Sequence, residues 1–156
     1  MQTTLIILKP DAVQRGLCGR IITRFEEKGL KIIGAKFMQI SRGLAERHYA
    51  VHHGKPFYEK LVQFMTSSPV LVLAIHGKSA ITVCRRMMGV TASSQAESGT
   101  IRGDFGVSNS FNLIHGSDGE DTARKELDLF FKPEELLNYD RIVDSWIVNI
   151  SGGKAE

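Results

Sequence analysis

One histidine of the chain, His115, lies where a predicted strand ends and a predicted helix begins. Apolar residues over 111–114 predict the strand, and Ser117 followed by Glu120 has the spacing of a capping box, which predicts a helix from near Asp118. The first backbone N–H groups of such a helix, placed beside His115, attract anions, and a neutral imidazole is a nucleophile. A histidine at a strand end is more often structural, so other residues must decide between the two interpretations.

Several further residues are of types that could cooperate with this histidine. Glu126 lies in the predicted helix, and its carboxylate could reach back and orient the imidazole, although a surface position is an equal alternative. Ser117 could donate to Glu126, but the capping role is favoured. The remaining candidates offer positive charge, a hydroxyl group or an aromatic face, and they are Lys9, Arg85, Thr91, Arg102 and Phe57. Taken alone, each arginine and the threonine is more often a surface residue. Solvation of the lysine and core packing of the phenylalanine are each at least as frequent as a role in a site.

Composition limits the classes of protein to which the chain can belong. Its 156 residues suit one domain that folds without metal or disulfide crosslinks. A formal net charge of +3 is too small to indicate nucleic acid as the main ligand. Cys18 and Cys84 are far apart, which fits a reducing compartment, and no apolar run approaches the roughly 18 residues of a membrane span. We therefore expect a cytoplasmic protein that does not insert into membranes.

The order of elements predicts an α+β fold. Helical patterns follow the first and third apolar strands, a helical hairpin over 44–65 follows the second, and a long loop over 90–110 precedes the strand before His115. This βαββαβ order matches a ferredoxin-like sandwich, a four-stranded antiparallel sheet with helices on one face and with the hairpin as an insertion. Residues 1–150 are predicted to form a single domain and residues 151–156 a mobile tail.

Two other patterns suggest ligand sites but have unsuitable spacing. Gly77-Lys78-Ser79 follows a strand, yet the glycine that a P-loop needs five residues earlier is replaced by Val72. His48 and His52 are four residues apart on a predicted helix with His53 beside them, a spacing that could hold a metal ion. Because no third ligand has convincing spacing, a solvated helix face is the favoured prediction for these histidines.

Taken together, the candidate residues make the sequence resemble a nucleoside diphosphate kinase. The family pattern around its active histidine, N-x-x-H-G-S-D, is present as residues 112–118. The similarity extends nearly to Trp146 and includes Lys9-Pro10-Asp11, Gln14-Arg15-Gly16, Lys55-Pro56-Phe57, Gly-Thr-Ile-Arg-Gly-Asp at 99–104 and Pro133-Glu134-Glu135-Leu136.

The resemblance implies a reaction and a role for each site residue. His115 would accept the terminal phosphoryl group of a nucleoside triphosphate and pass it to a different nucleoside diphosphate, in a ping-pong cycle. Mg²⁺ would bridge the phosphates, with Asp118 helping through water and no direct protein ligand. Glu126 and Ser117 would orient the histidine. The residues implied in nucleotide binding are Lys9, which also counts as catalytic, and Tyr49, Phe57, Leu61, Arg85, Thr91, Arg102 and Asn112.

The implied partners are nucleoside di- and triphosphates, with ribose or deoxyribose, and further copies of the chain in a homo-oligomer. Stacking on Phe57 would accept every base, since every base has a π face. Ala92-Ser93 and Ser98 stand where the family commonly has prolines, which leaves the long loop less restricted. Two rival functions remain: a nucleotide- or nucleic-acid-binding regulator without turnover, and a phosphorelay protein in which His115 phosphorylates a partner. The complete residue set favours the enzyme, because a pure binder needs no nucleophile.

Overall fold

The computed structural model describes residues 1–151 and 154–155 and contains a four-stranded antiparallel sheet. In chain order its strands are β1 (Gln2–Leu8), β2 (Lys31–Met38), β3 (Val70–Gly77) and β4 (Ile114–Gly116), arranged as β2-β3-β1-β4. The helices are α1 (Pro10–Gln14), α2 (Cys18–Glu27), α3 (Arg42–His48), α4 (Tyr58–Met65), α5 (Ala80–Met88), α6 (Ile101–Phe105), α7 (Glu120–Phe130) and α8 (Asp144–Ile147). The ferredoxin-like α+β fold is confirmed.

Side chains of β1 alternate between two apolar layers, as the pleat of a strand requires. Ile6 and Leu8 pack with residues of α2 and α5 on one face of the sheet. Leu5 and Ile7 point to the other face and pack with residues of α3, α4 and α7. The prediction of helices on one face is therefore correct for the two crossing helices and wrong for the sheet as a whole. The hairpin and α7 cover the opposite face, because both faces of β1 are apolar.

Two glycines lie where regular backbone structure is interrupted, one after the end of α2 and one at a shift in the pairing of β2. Gly29 has φ +89° after the end of α2, a left-handed conformation that glycine adopts without steric cost. The pairing of β2 with β3 shifts its register between Ile32 and Gly34, which marks a bulge in β2. The bulge keeps the remainder of β2 paired with β3 over 34–38.

The strand that carries His115 differs from its prediction. It was expected over 111–114, whereas β4 begins at Ile114 and pairs His115 with Ile7 of β1. The cause is Leu113, whose φ of 69° is left-handed and interrupts the extended backbone before Ile114. His115 thus lies within the strand and not after its end.

The predicted capping box is also wrong. The backbone N–H of Ser117 donates to the Leu5 carbonyl at 3.1 Å, so the residue is still bound to β1, and Gly119 is the N-cap of α7 without a side-chain cap. His115 meets α7 at Glu126, six residues after its first residue, Glu120. About 9 Å of helix axis separates those two positions, so the helix start is not the group beside the histidine.

The segment over 90–110 is more ordered than a plain loop. It contains a 3-10 turn, Ser93–Gln95, and the short helix α6, in which the Thr100 hydroxyl accepts from the Gly103 N–H at 3.0 Å. At the other end of the chain, Ile150–Ser151 (β5) and Lys154–Ala155 (β6) pair antiparallel, while residues 152, 153 and 156 lie outside the described part. The single domain and the mobile tail stay predictions. No helix within the described residues is long and apolar enough to cross a membrane.

Candidate active site

A cavity of about 1160 Å³ lies between the helical hairpin, α5 and the segment that leads into β4. Its wall brings together residues that are distant in sequence, and these include every residue predicted to bind nucleotide: Lys9, Tyr49, Phe57, Leu61, Arg85, Thr91, Arg102 and Asn112. His115, Asp118 and Glu126 line the same cavity. Ser117 does not line it, because its side chain is fully buried behind Glu126.

The imidazole of His115 is held by a carboxylate. Its Nε2 lies 3.0 Å and 3.1 Å from the two carboxylate oxygens of Glu126, and the Ser117 hydroxyl donates to Glu126 Oε2 at 2.6 Å. The Ser117 oxygen also accepts from the Leu5 backbone N–H at 3.2 Å, which ties the group to β1. An ionised carboxylate only accepts hydrogen bonds, so Nε2 carries a proton and Nδ1 carries the lone pair.

The ionisation of Glu126 follows from its surroundings. Burial alone raises the pKa of this carboxyl group, but hydrogen bonding and charge from His115, together with the Ser117 hydroxyl, outweigh burial and leave the pKa below its usual value. Glu126 is therefore a carboxylate at neutral pH. The Ser117 interaction was the less favoured of the two predictions made for that residue, because sequence spacing alone does not show that Ser117 is still hydrogen-bonded to β1.

His48 is a residue that sequence reasoning placed wrongly. Its side chain is only 2% exposed and its ring lies 4.7 Å from the His115 ring in an edge-on contact, so the predicted solvated face is incorrect for this histidine. Burial and the neighbouring His115 lower the pKa of His48 to about 3, so the ring is neutral at pH 7. The sequence does offer one indication that His48 is buried. It lies three residues after Ala45, which is buried on the same face of the helix.

Lys9 places a positive charge at the base of the cavity. Its Nζ donates to Asn112 Oδ1 at 2.7 Å, and Asn112 Nδ2 donates to the Thr91 carbonyl at 3.1 Å. Burial and the charge of Arg102 lower the pKa of Lys9 to about 8. The lysine is thus cationic at neutral pH but loses its proton in mildly alkaline solution.

The two arginines have different surroundings. Arg102 is buried, and it donates to the carbonyls of Asn112 at 3.1 Å, Gly89 at 2.9 Å and Ile114 at 2.6 Å. Burial and the nearby charge of Arg85 lower the pKa of Arg102 to about 10. Arg85 is more exposed and donates to the Gly116 carbonyl at 3.2 Å. Arg102 therefore has a structural role in addition to the predicted one, with N–H groups left over for the cavity.

The outer part of the cavity is aromatic. Phe57 is 48% exposed at the start of α4, and Phe64 of the same helix contacts Phe111 with 5.1 Å between ring centres. Tyr49 is buried, and its hydroxyl has no hydrogen-bond partner in the described part of the chain. Phe64 and Phe111 line the cavity but were not predicted. An apolar stripe on a helix, which includes Phe64, normally faces the core, and so does an apolar residue of a predicted strand such as Phe111.

Comparison with known proteins gives the family. The family model described as "Nucleoside diphosphate kinase" matches residues 2–136, most of the chain. The chain belongs to the nucleoside diphosphate kinase family. A nucleoside diphosphate kinase of Desulforamulus reducens is 54% identical over 147 residues, 94% of this chain and 99% of the relative.

Solved structures of nucleoside diphosphate kinases share the fold. The enzyme of Halobacterium salinarum in complex with CDP has a TM-score of 0.92 at 48% identity, covering 94% of this chain and 97% of that one. The Borrelia burgdorferi enzyme, described as a transition state mimic with bound vanadate and ADP, has a TM-score of 0.87 at 37% identity, covering 93% and 95%. The chain is accordingly a nucleotide-binding phosphotransferase, a nucleoside diphosphate kinase by family.

The positions where this chain lacks the usual family prolines are restrained by side chains. Asn109 Oδ1 lies 3.2 Å from the Ser94 hydroxyl, next to Ala92-Ser93. Near Ser98, the Gly99 N–H donates to Asp104 Oδ1 at 2.8 Å, and Asp104 also forms an ion pair with Arg24. Hydrogen bonds thus limit the loop where a proline would otherwise limit its backbone.

Proposed function

We propose that the chain transfers the terminal phosphoryl group of a nucleoside triphosphate to a nucleoside diphosphate through a phosphohistidine on His115. The observation that carries the proposal is the contact of His115 Nε2 with the Glu126 carboxylate, which leaves Nδ1 with a lone pair in a cavity lined by cationic side chains. Nδ1 makes no hydrogen bond within the described residues.

The chemistry needs no proton transfer at the nucleophile. The lone pair of Nδ1 forms a bond to the terminal phosphorus while the bridging P–O bond breaks, and the departing nucleoside diphosphate keeps the electron pair. The imidazole becomes cationic, and the Glu126 carboxylate stabilises that charge through the Nε2–H hydrogen bond. A terminal phosphate oxygen of a second nucleoside diphosphate then attacks the phosphohistidine and restores His115.

Positive charge on the cavity wall suits the phosphates. Lys9, Arg85 and Arg102 line the cavity, and preorganised cations stabilise the charge that spreads over a phosphoryl group in transfer. The unpartnered Tyr49 hydroxyl and the Thr91 side chain are further polar groups on the same wall.

A phosphate-bound Mg²⁺ fits the acids that face the cavity. Glu126 is occupied by His115 and Ser117, whereas the exposed Asp118 has no ion pair in the described part of the chain. Mg²⁺ typically keeps several waters and uses substrate phosphates with one or two carboxylates, so Asp118 would reach it through water. When bound, the ion would neutralise the charge of the phosphates.

The deciding experiment mixes the protein with ATP, GDP and Mg²⁺ and measures GTP, together with acid-labile phosphate on the protein after ATP alone. We expect both products. Nucleotide binding without GTP or phosphoprotein would identify a regulator without turnover. Phosphoprotein that discharges to a protein partner but not to GDP would identify a phosphorelay component. Either result would overturn the proposal.

Phe57 should contribute to the affinity for every base. Replacing it with alanine removes a stacking face worth about 1–3 kcal/mol, so the Kd for ADP, GDP and CDP should each rise about 5- to 150-fold, with kcat little changed. Fluorescence titration with each nucleotide measures the effect. Phe37→Ala is the control, because Phe37 is 66% exposed on β2 and does not line the cavity. Loss of affinity for one base alone would contradict stacking as the mode of recognition.

Lys9 should take up a proton when nucleotide binds in alkaline solution. Its pKa of about 8 in the free protein rises when anionic phosphates lie beside the ammonium group. At about pH 8.5, binding of ADP should therefore take up a fraction of one proton, and at pH 7 almost none, because Lys9 is already charged there. Affinity should fall as the pH rises above 8. Calorimetry in two buffers of different ionisation enthalpy measures the uptake, which Lys9→Gln should abolish. Unchanged uptake in that variant would refute the assignment.

We also propose that the chain forms a homo-oligomer. Arg141 donates to the Gly29 and Leu30 carbonyls and fixes the C-terminal segment onto the end of α2. That segment leaves Ile142 96% and Trp146 89% exposed in the single chain, an apolar surface of the kind that marks an interface. Light scattering should give a mass above that of one chain, and the double variant Ile142→Lys and Trp146→Lys should lower it. A monomeric wild-type protein would contradict the proposal. The cytoplasmic location stays a prediction.

A further inference from the structure

We propose that His48, His115 and Glu126 form a binding site for Zn²⁺ or a similar divalent transition metal in the nucleotide-free protein, and that the metal blocks phosphorylation of His115. The ligand atoms of these three residues all lie within 4.8 Å of one another. His115 Nε2 is 3.0 Å and His48 Nδ1 is 3.9 Å from Glu126 Oε1. The blocking effect rests on the proposed function of His115, whereas the binding does not.

These distances are close to those of a zinc site. Ligand atoms about 2.0–2.2 Å from a tetrahedral Zn²⁺ are about 3.4 Å from each other, which lies between the two measured separations. Because all three atoms lie within 4.8 Å of one another, shifts of about 1–1.5 Å would bring them around one ion. A water molecule from the cavity would be the fourth ligand, because three protein ligands with an open position are a common zinc arrangement.

The surroundings of His48 support a bound ion independently of the distances. Its side chain is 2% exposed, yet neither ring nitrogen has a hydrogen-bond partner in the described residues. A buried polar atom without a partner has a free-energy cost that a ligand can remove. The ring stands edge-on between those of His115 and Phe130, with centre distances of 4.7 Å and 5.2 Å. This packing holds His48 next to the carboxylate.

The ligand atoms of this cluster favour Zn²⁺ over Mg²⁺, the ion that binds nucleotide phosphates. Two imidazoles and one carboxylate suit Zn²⁺, while Mg²⁺ prefers oxygen ligands and retains its water. The site is therefore distinct in chemistry from the phosphate-bound Mg²⁺ near Asp118. We expect Mg²⁺ at millimolar concentration to leave Zn²⁺ binding nearly unchanged.

Metal binding would change the tautomer of His115. To coordinate the ion through Nε2, the imidazole must move its proton from Nε2 to Nδ1, where the lone pair forms the proposed bond to phosphorus. The proton stays on the ring, and a metal–nitrogen bond replaces the hydrogen bond to Glu126. With Nδ1 protonated, no lone pair is available for phosphoryl transfer, so the bound ion inhibits by changing the protonation of the nucleophile.

The test is calorimetric titration of Zn²⁺ into protein freed of metal and nucleotide. We expect one equivalent per chain with a Kd in the micromolar range. His48→Phe keeps a ring in the same space, and Glu126→Gln keeps the shape of the side chain; each should weaken binding at least about 100-fold, because each removes a ligand. His53→Ala is the control, since His53 is exposed on the same segment and lies outside the cluster, and it should bind as the wild type does. Thermal unfolding of each metal-free variant shows that it is folded.

Two further measurements test the metal site and its effect on phosphorylation separately. Co²⁺ in place of Zn²⁺ should give the intense visible absorption of four-coordinate cobalt in the wild type and not in His48→Phe. Phosphorylation of His115 by phosphoramidate, a donor without a nucleotide, should be slowed by one equivalent of Zn²⁺ and restored by chelator. Wild-type affinity in both ligand variants, or equal loss in His53→Ala, would refute the site. Binding with no phosphorylation of metal-free protein would leave the site standing and refute the proposed function.

Discussion

Replacing His115 with alanine should lower the rate of phosphoryl exchange between ATP and GDP at least about 10⁴-fold, because the proposed covalent route loses its nucleophile. Binding of ADP should change less than about threefold, since the cationic and aromatic walls of the cavity are separate from the imidazole. Rapid-mixing assays of GTP formation and calorimetric titration of ADP measure the two effects. The phosphoprotein formed from ATP should be absent in the variant.

A matched control shows that the loss belongs to this histidine. His53→Ala removes an exposed imidazole that does not line the cavity, and its exchange rate should equal that of the wild type. Exchange in His115→Ala at more than about a hundredth of the wild-type rate would mean that another group accepts the phosphoryl. Normal phosphoprotein in that variant would identify the nucleophile as a different residue altogether.

Replacing Arg102 with methionine should lower the free energy of unfolding by about 3–5 kcal/mol. The change removes a donor from three carbonyl oxygens. That of Asn112 keeps the Ile114 N–H at 2.8 Å, whereas those of Gly89 and Ile114 are left unpaired at a cost of about 1–3 kcal/mol each. Relief from burying the guanidinium group offsets part of this cost. Urea unfolding followed by circular dichroism measures the difference.

The same change should lower kcat/KM for ATP more than a loss of stability explains. Arg102 joins the end of α5 to the entry of β4, so its loss would remove one of the contacts that position Asn112, the residue that holds Lys9 in place. Arg86→Met is the control, because Arg86 is exposed on α5 and does not line the cavity, and it should change the unfolding free energy by less than about 0.5 kcal/mol. If Arg102→Met is as stable as Arg86→Met, the three carbonyl contacts do not support the site.

The elements that were predicted correctly are determined by a periodic pattern or by residues that are close in sequence. The strand β3 is a continuous apolar run, and α2 ends at a glycine with positive φ, so each could be recognised from neighbouring residues. The candidate residues of the cavity could be named in advance only because a specific motif around His115 accompanied them. Individually, an arginine such as Arg102 has no property in sequence that distinguishes a buried position from an exposed one.

The wrong predictions concern residues whose conformation is set by contacts with parts of the chain that are distant in sequence. Ser117 has the spacing of a helix cap, yet its N–H and hydroxyl both contact Leu5, more than a hundred residues earlier in the chain. Leu113 adopts a left-handed conformation, which an apolar run of residues does not predict. His48 was expected in solvent because no third metal ligand has convincing spacing, and only the packing of α3 against α7 shows that it is buried.

The site histidine, its carboxylate partner and the cavity lysine share one support, the central strand β1. Ile7 pairs with His115, the Leu5 N–H meets Ser117, and the Lys9 N–H donates to the Leu113 carbonyl at 2.8 Å. Since β1 has a hydrogen-bonded neighbour on each edge and apolar layers on both faces, it opens only when the domain unfolds. Phe57, by contrast, stands half exposed on a surface helix. The proposed nucleophile is therefore as rigid as the strand that supports it, while the side chain proposed to stack on the base is free to adjust to bases of different size.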